Sequence, residues 1–208
     1  MTIERRGRIV GLTGPTGAGK SEAARLLTAA GIPVVDADAL AREVVAKGHP
    51  CLLELSEAFS AAILNADGTL DRKALAAVAF SSKEATARLN AITHPHIFRL
   101  AEGCFSALWQ EGRTLAALDA PLLFESGMDG MCDGTVAVLA PAAVRQARIC
   151  ERDGITAEQA ALRMSAQPDE AFYRERAGTV LYNDGDLAAF HAAVQEWIDR
   201  LQGGCYGE

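Results

Sequence analysis

Residues Gly14 to Ser21 read Gly-Pro-Thr-Gly-Ala-Gly-Lys-Ser, which has the GxxxxGK[ST] spacing of a loop that cradles phosphate. The residue types say how. A stretch without bulky side chains lets several backbone N–H groups converge on phosphate oxygens, and a helix N-terminus behind it adds partial positive charge. Lys20 supplies a mobile cation for the β- and γ-phosphates, and the Ser21 hydroxyl is a hard oxygen ligand for Mg²⁺. Gly14, Pro15, Thr16, Gly17, Ala18, Gly19, Lys20 and Ser21 are therefore the expected ATP-type triphosphate site. The alternative is a glycine-rich turn that joins a strand to a helix and binds nothing.

Phosphoryl transfer also needs an acceptor hydroxyl held in line, a group to accept its proton, and cations around the equatorial oxygens. Two apolar runs end in carboxylates, Asp36-Ala37-Asp38 and Asp119-Ala120-Pro121-Leu122-Leu123-Phe124-Glu125. Asp38 is the expected proton acceptor, with Asp36 supporting Mg²⁺ directly or through water. Either aspartate could instead cap a helix beginning near Ala39. Asp119 reads as a second metal-supporting acid or as a turn residue before Pro121. The run Pro121 to Phe124 reads as the wall of a substrate pocket or simply as core.

Arg145, Arg148 and Arg152 are spaced so that a helix would gather their guanidinium groups along one side, with Arg163 in the next helix. As a set they suggest a lid that folds over triphosphate, since the guanidinium fork suits phosphate oxygens. The alternative is a solvated helix face with Glu151 as partner. His94, before Pro95, could contact substrate or cap a helix. Trp109 and Trp197 fall on apolar helix faces and are expected in the core.

The elements that must position these groups follow from the hydrophobic pattern. Five short apolar segments, at 8–13, 32–36, 115–119, 134–139 and 179–182, are separated by stretches with helical periodicity. Strands alternating with helices imply crossovers and a parallel sheet covered on both faces, with ligands beyond the strands' carboxyl ends. The second and third strands lie too far apart for one crossover helix, so an insertion at about 48–112 is expected. It contains one helix around Leu52 to Phe59, one capped by Asp71, and one opened by Thr93-His94-Pro95 that runs to about Trp109. A helical excursion covers about 141–176, an amphipathic helix about 186–201, and the tail from Gly203 should fray.

The chain has 208 residues, half of them hydrophobic and 23% charged, which fits one soluble domain with a substantial core. A net charge of −7 argues against a large nucleic-acid footprint. No apolar run approaches the ~20 residues that span a bilayer, and the polar start lacks a signal-peptide core, so a cytoplasmic protein is expected, off the membrane. Five scattered cysteines without a CxxC pair read as reduced thiols.

With these residues in place, the chain resembles the dephospho-coenzyme A kinase family over nearly its whole length. The resemblance rests on Gly11 to Ser21, Val35-Asp-Ala-Asp38 with Ala41-Arg42, Leu70-Asp-Arg72, Ile92-Thr-His-Pro95, Asp119 to Glu125, Arg148-xxx-Arg152-Asp153, Arg163-xxx-Gln167 and Asn183. It implies ATP-dependent phosphorylation of the ribose 3′-hydroxyl of dephospho-coenzyme A, with ATP as co-substrate and Mg²⁺; the expected partner is the small-molecule substrate, with no nucleic acid and no membrane, for a monomer or weak homo-oligomer. It also implies a three-layer P-loop kinase fold of the α/β class, with a five-stranded parallel sheet, a helical acceptor-binding insertion and a lid.

Carried over by residue, the resemblance makes Asp38 the general base and Arg148 a stabiliser of transferred charge. Asn183 falls in a loop bordering adenine, and His94, Leu122, Phe124 and Glu125 face the acceptor. The chain departs from the family pattern at Pro15-Thr16, usually Gly-Ile, at Ala18, usually Ser, and at Arg145, commonly Gln. Pro15 removes one N–H donor from the loop. Two rival readings stay open: a different small-molecule or nucleoside monophosphate kinase on the same core, and a nucleotide-switched regulatory module. The latter would need a guanine-specifying NKxD-like segment, and the chain contains none.

Overall fold

Each of the five apolar runs forms a strand: β1 (Arg8–Thr13), β2 (Val34–Asp36), β3 (Leu115–Asp119), β4 (Gly134–Leu139) and β5 (Thr179–Tyr182). The computed structural model describes residues 7–203. The strands make one sheet in the order β2-β3-β1-β4-β5. The β1–β3 register pairs Ile9 with Ala116 and Leu12 with Asp119, and β1–β4 pairs Leu12 with Val136, all parallel. The second strand starts two residues later than expected. Ile32 closes the preceding helix turn, and Pro33, which has no N–H to donate, only accepts through its carbonyl from Ala117 at 2.8 Å.

Nine α-helices connect the strands among the described residues: α1 (Lys20–Ala29), α2 (Ala37–Glu43), α3 (Pro50–Phe59), α4 (Arg72–Ala79), α5 (Lys83–Gln110), α6 (Ala142–Asp153), α7 (Ala157–Ser165), α8 (Glu170–Arg176) and α9 (Leu187–Gln202). The chain divides into two compact units, one formed by the chain up to Val35 together with Leu108 onward, the other by Asp36–Ala107.

In the first unit, one sheet face packs Val10, Leu12, Val136 and Val138 against Leu27 of α1 and Phe190, Val194, Trp197, Ile198 and Leu201 of α9. The α9 residues recur at three- and four-residue steps, which puts them on one stripe. Asp186 starts that helix by accepting the N–H groups of Ala188 and Ala189. Trp197 is fully buried, whereas Trp109 is only half-buried. A smaller cluster joins Ala137, Leu139 and Tyr173, with Phe124 and Phe172 packed on it.

The second unit is helical, with its own core of Val44, Cys51, Leu55, Ile63, Leu75 and Ala79. Asp71 caps α4 as expected. The helix expected to open at Thr93-His94-Pro95 instead begins at Lys83 and carries Pro95 inside it. Ser82 caps the true start, its hydroxyl accepting the Ala85 N–H at 3.1 Å. Leu89, Ile92, Ile97 and Leu100, on both sides of Pro95, pack on the same core. Continuous burial on both sides offsets the one backbone bond the proline removes.

No helix among the described residues is long and apolar enough to cross a membrane. Cys51, Cys104, Cys132 and Cys150 are free thiols. The expectations for the polar start at 1–6 and for the tail beyond Gly203, including Cys205, fall outside the described residues.

Candidate active site

The loop from Gly14 to Gly19 joins β1 to α1 at the carboxyl edge of the sheet. Glu22 and Ala23 both donate to the Gly19 carbonyl, which starts α1. The amides of Gly17, Gly19, Lys20 and Ser21 have no hydrogen-bond acceptor among the described residues. A helix N-terminus always leaves such donors over, and the amides of Gly19, Lys20 and Ser21 stand at that of α1.

Pro15 and Thr16 belong to the loop but contribute no free amide. Pro15 has none, is buried, and accepts the Ala18 N–H at 3.2 Å. The Thr16 N–H is taken by Gln167 Oε1 at 2.9 Å. The amide-lined part of the site is thus narrower than the eight-residue motif.

Three consecutive loop carbonyls are held from behind by side chains of the same unit. Arg145 Nε donates to the Thr16 carbonyl at 2.9 Å. Arg148 Nη1 donates to those of Gly17 and Ala18 at 3.3 and 3.4 Å. Asn183 Nδ2 donates to Ala18 at 3.0 Å, and Arg148 Nη2 donates to Asn183 Oδ1 at 2.7 Å. Because a trans peptide points its C=O opposite to the next N–H, holding these carbonyls turns the amides of Gly17, Ala18 and Gly19 the other way.

Asn183 is reached directly from β5, its own N–H donating to Leu139 at 2.8 Å, and it is 3% exposed. Gly19 sits at φ 105°, and a β-carbon there would collide with the Asn183 amide. Glycine is therefore required on both conformational and steric grounds.

Lys20, in the first turn of α1, reaches across to β3 and forms an ion pair with the carboxylate of Asp119, both side chains mostly buried. The pairing is positioned by the backbone: Ala120 N–H donates to Leu12 at 3.0 Å and the buried Thr13 hydroxyl to Pro121 at 3.2 Å, tying the end of β3 to the end of β1. Asp119 thus pairs with the lysine of the loop motif as well as preceding the turn at Pro121.

The other expected residues are placed as follows. Ser21 is exposed at the loop's exit. Leu122 is exposed, Leu123 is fully buried, Phe124 packs edge-on against Phe172 at 6.1 Å, and Glu125 is exposed. In the second unit, Asp36 caps α2, its Oδ1 accepting the N–H groups of Asp38 at 2.8 Å and Ala39 at 3.1 Å, while its Oδ2 lies 3.7 Å from Arg42. The capping contact is therefore present at Asp36. Asp38, in the first turn of α2, is exposed and its side chain makes no hydrogen bond among the described residues. His94 lies inside α5, not at a cap, and burial holds its imidazole pKa below the usual value.

The arginines do not act as a single row. Arg145 and Arg148 turn onto the loop, whereas Arg152, one turn further along α6, pairs with Asp153 at 2.7 Å, and Arg163 reaches the same carboxylate at 2.5 Å. Their acidic partner is Asp153, not Glu151. The sequence reading missed Gln167 and Arg145 as anchors of the loop. Their partners lie 151 and 129 residues away, so spacing carried no signal for them.

Mg²⁺ fits the oxygen donors present. Ser21 offers a hydroxyl and Asp119 a carboxylate, hard oxygen donors of the kind that bind Mg²⁺ together with substrate phosphates.

The family model for dephospho-CoA kinase matches residues 8–189. A dephospho-CoA kinase of Moorella thermoacetica is 42% identical over 195 residues, covering 93% of this chain and 92% of that protein. Among solved structures, TT1252 from Thermus thermophilus superposes with a TM-score of 0.80 at 36% identity, over 97% of this chain and 100% of that one. A dephospho-CoA kinase from Campylobacter jejuni gives a TM-score of 0.72 at 25% identity, over 95% and 98%. A phosphate loop backed by Arg148 and Asn183, a Lys20–Asp119 pair at the sheet edge and this extent of similarity converge: the chain belongs to the dephospho-CoA kinase family.

Proposed function

We propose that this protein transfers the γ-phosphoryl group of ATP to the ribose 3′-hydroxyl of dephospho-coenzyme A, giving coenzyme A and ADP. The observation that carries the reading is the loop itself, whose amides at Gly17, Gly19, Lys20 and Ser21 are left for phosphate while its carbonyls are held by Arg145, Arg148 and Asn183. Family membership supplies the acceptor.

In this reading Lys20 moves from Asp119 to the β- and γ-phosphate oxygens, so the charge pair stores the ammonium in place until nucleotide arrives. Ser21 would hold Mg²⁺, with Asp36 supporting it directly or through water and Asp119 as a second supporting acid, and the ion would neutralise charge on the phosphate oxygens. Asp38 accepts the 3′-hydroxyl proton as that oxygen bonds to the γ-phosphorus and the bond to the ADP oxygen breaks. The choice of Asp38 over Asp36 is supported by hydrogen bonding: Asp36 is engaged as a helix cap, and Asp38 is not. His94 in its neutral form, with Leu122, Phe124 and Glu125, contacts the acceptor. Residues 141–176 act as the lid, and an ATP analogue should slow amide exchange across them; unchanged exchange would contradict that assignment.

ADP release measured against a panel of acceptors tests the function. Turnover is expected with dephospho-coenzyme A, and turnover with a nucleoside monophosphate alone would overturn the reading.

A further inference from the structure

Arg145 and Gln167 close a ring with one residue of the phosphate loop, Thr16, by its N–H and its carbonyl. Arg145 Nε donates to the Thr16 carbonyl at 2.9 Å, the Thr16 N–H donates to Gln167 Oε1 at 2.9 Å, and Arg145 Nη2 donates to that same oxygen at 3.4 Å. We propose that these two side chains are positioning residues for ATP: they fix Thr16 from outside the site, so that the next amide, on Gly17, points at phosphate.

The geometry behind this is local. Pinning the Thr16 C=O toward α6 directs the Gly17 N–H away from α6, because the two groups oppose each other across a trans peptide. Pro15 offers no N–H, so the loop cannot recruit an amide from that position instead. Gly17 has φ 78°, and a β-carbon on it would lie 2.7 Å from the Arg145 carbonyl. The loop therefore rests directly on the α6 backbone, with no room for a side chain to replace the Arg145 contact.

Arg145 itself is 9% exposed, and burial lowers its pKa, yet it remains the charged fork that bridges two acceptors. Tyr173 and Glu170, both on α8, offset part of that lowering. A buried cation directly behind the loop also adds to the positive potential that polyphosphate meets. Gln167 follows α7, so the ring joins two helices of the 141–176 excursion to the loop rather than to each other alone.

The inference rests on the loop being the ATP site and not on the identity of the acceptor. Titration with a nonhydrolysable ATP analogue therefore reads it separately from acceptor turnover. Gln167→Met keeps the length of the side chain and removes its hydrogen bonds, and Arg145→Met keeps the apolar stem and removes the guanidinium with its hydrogen bonds. Each is expected to weaken analogue binding and raise KM for ATP about tenfold, the scale of one buried hydrogen bond lost, with KM for the acceptor nearly unchanged.

The double variant is expected to be no worse than the weaker single variant, because both break one ring. Gln167→Glu keeps the acceptor for the Thr16 N–H and is expected to stay near wild-type, whereas a role in folding alone would make it no better than Gln167→Met. Folded variants with unchanged ATP affinity, or with both Michaelis constants raised equally, would overturn the proposal. Should Arg145→Met not fold, the Gln167→Met and Gln167→Glu pair decides the question by itself.

Discussion

Arg148 and Asn183 grip each other and the phosphate loop at once: Arg148 Nη2 lies 2.7 Å from Asn183 Oδ1, while Asn183 Nδ2 lies 3.0 Å from the Ala18 carbonyl. This pairing makes the end of β5 the rear support of the loop that follows β1. It also changes what removal of Asn183 should do.

Asn183→Ala leaves the Ala18 carbonyl short of a donor and Arg148 short of an acceptor in a mostly buried position. The variant should lose ~1–3 kcal/mol of stability, the cost of an unsatisfied buried polar group. It should also bind ATP more weakly. Urea unfolding midpoints with and without an ATP analogue check both, and a variant as stable as wild-type would contradict the supporting role.

Lys20 and Asp119 form the ion pair at the mouth of the site. Lys20→Ala should cut turnover by at least ~10²-fold, the scale of losing a positioned charge at developing negative charge. Asp119→Asn should cost ~10–10²-fold, as is usual for groups that orient a reacting cation or metal. Steady-state kinetics at saturating ATP separates lost chemistry from lost binding. Near-normal turnover in Lys20→Ala would remove it from the reaction.

Asp38→Asn should reduce turnover by at least ~10²-fold with little change in ATP affinity, as expected for a positioned proton acceptor. Asp36→Ala should instead mainly weaken α2, since it removes the oxygen that caps the helix. Rapid-quench measurement of the chemical step distinguishes the two. If both variants behaved alike, Asp38 would have no special standing as base.

Glu22 gives the clearest pH signature. Its pKa is lowered from 4.5 to about 2, first by its hydrogen bond to Arg25 and then by His191 of α9 at 2.6 Å. A lowered carboxyl pKa means that the unfolded chain binds the proton more readily. The stabilisation is therefore complete above the ordinary value and is lost as pH falls toward the folded one. Because the pair is largely solvated, it contributes no more than ~1 kcal/mol. The stability gap between wild-type and Glu22→Gln should be present at neutral pH and close between 4.5 and about 2. A gap that persists at the acid end would contradict the assignment.

The parallel sheet and the loop were legible because they depend on short-range pattern. Apolar runs, a glycine-rich spacing and a following helix lie within one stretch of chain. The start of α5 was misread because Pro95 looks like a first-turn residue. The decisive facts were the Ser82 cap and an apolar face that continues through the proline, and only packing reveals the second. The divergence of Arg152 from Arg145 and Arg148 has a similar cause: helical spacing gathers side chains on one side, but distance from the loop decides which of them reach it. Asp36 and Asp38 could not be told apart by composition. A pair of backbone hydrogen bonds separates them.

The most direct test of the account is the chemical identity of its product. Incubated with ATP, Mg²⁺ and dephospho-coenzyme A, the protein should generate a new phosphate monoester on the ribose 3′-oxygen, visible by phosphorus NMR and matched by one ADP per product. ADP formation without that resonance, or a phosphate placed on another hydroxyl, would contradict it.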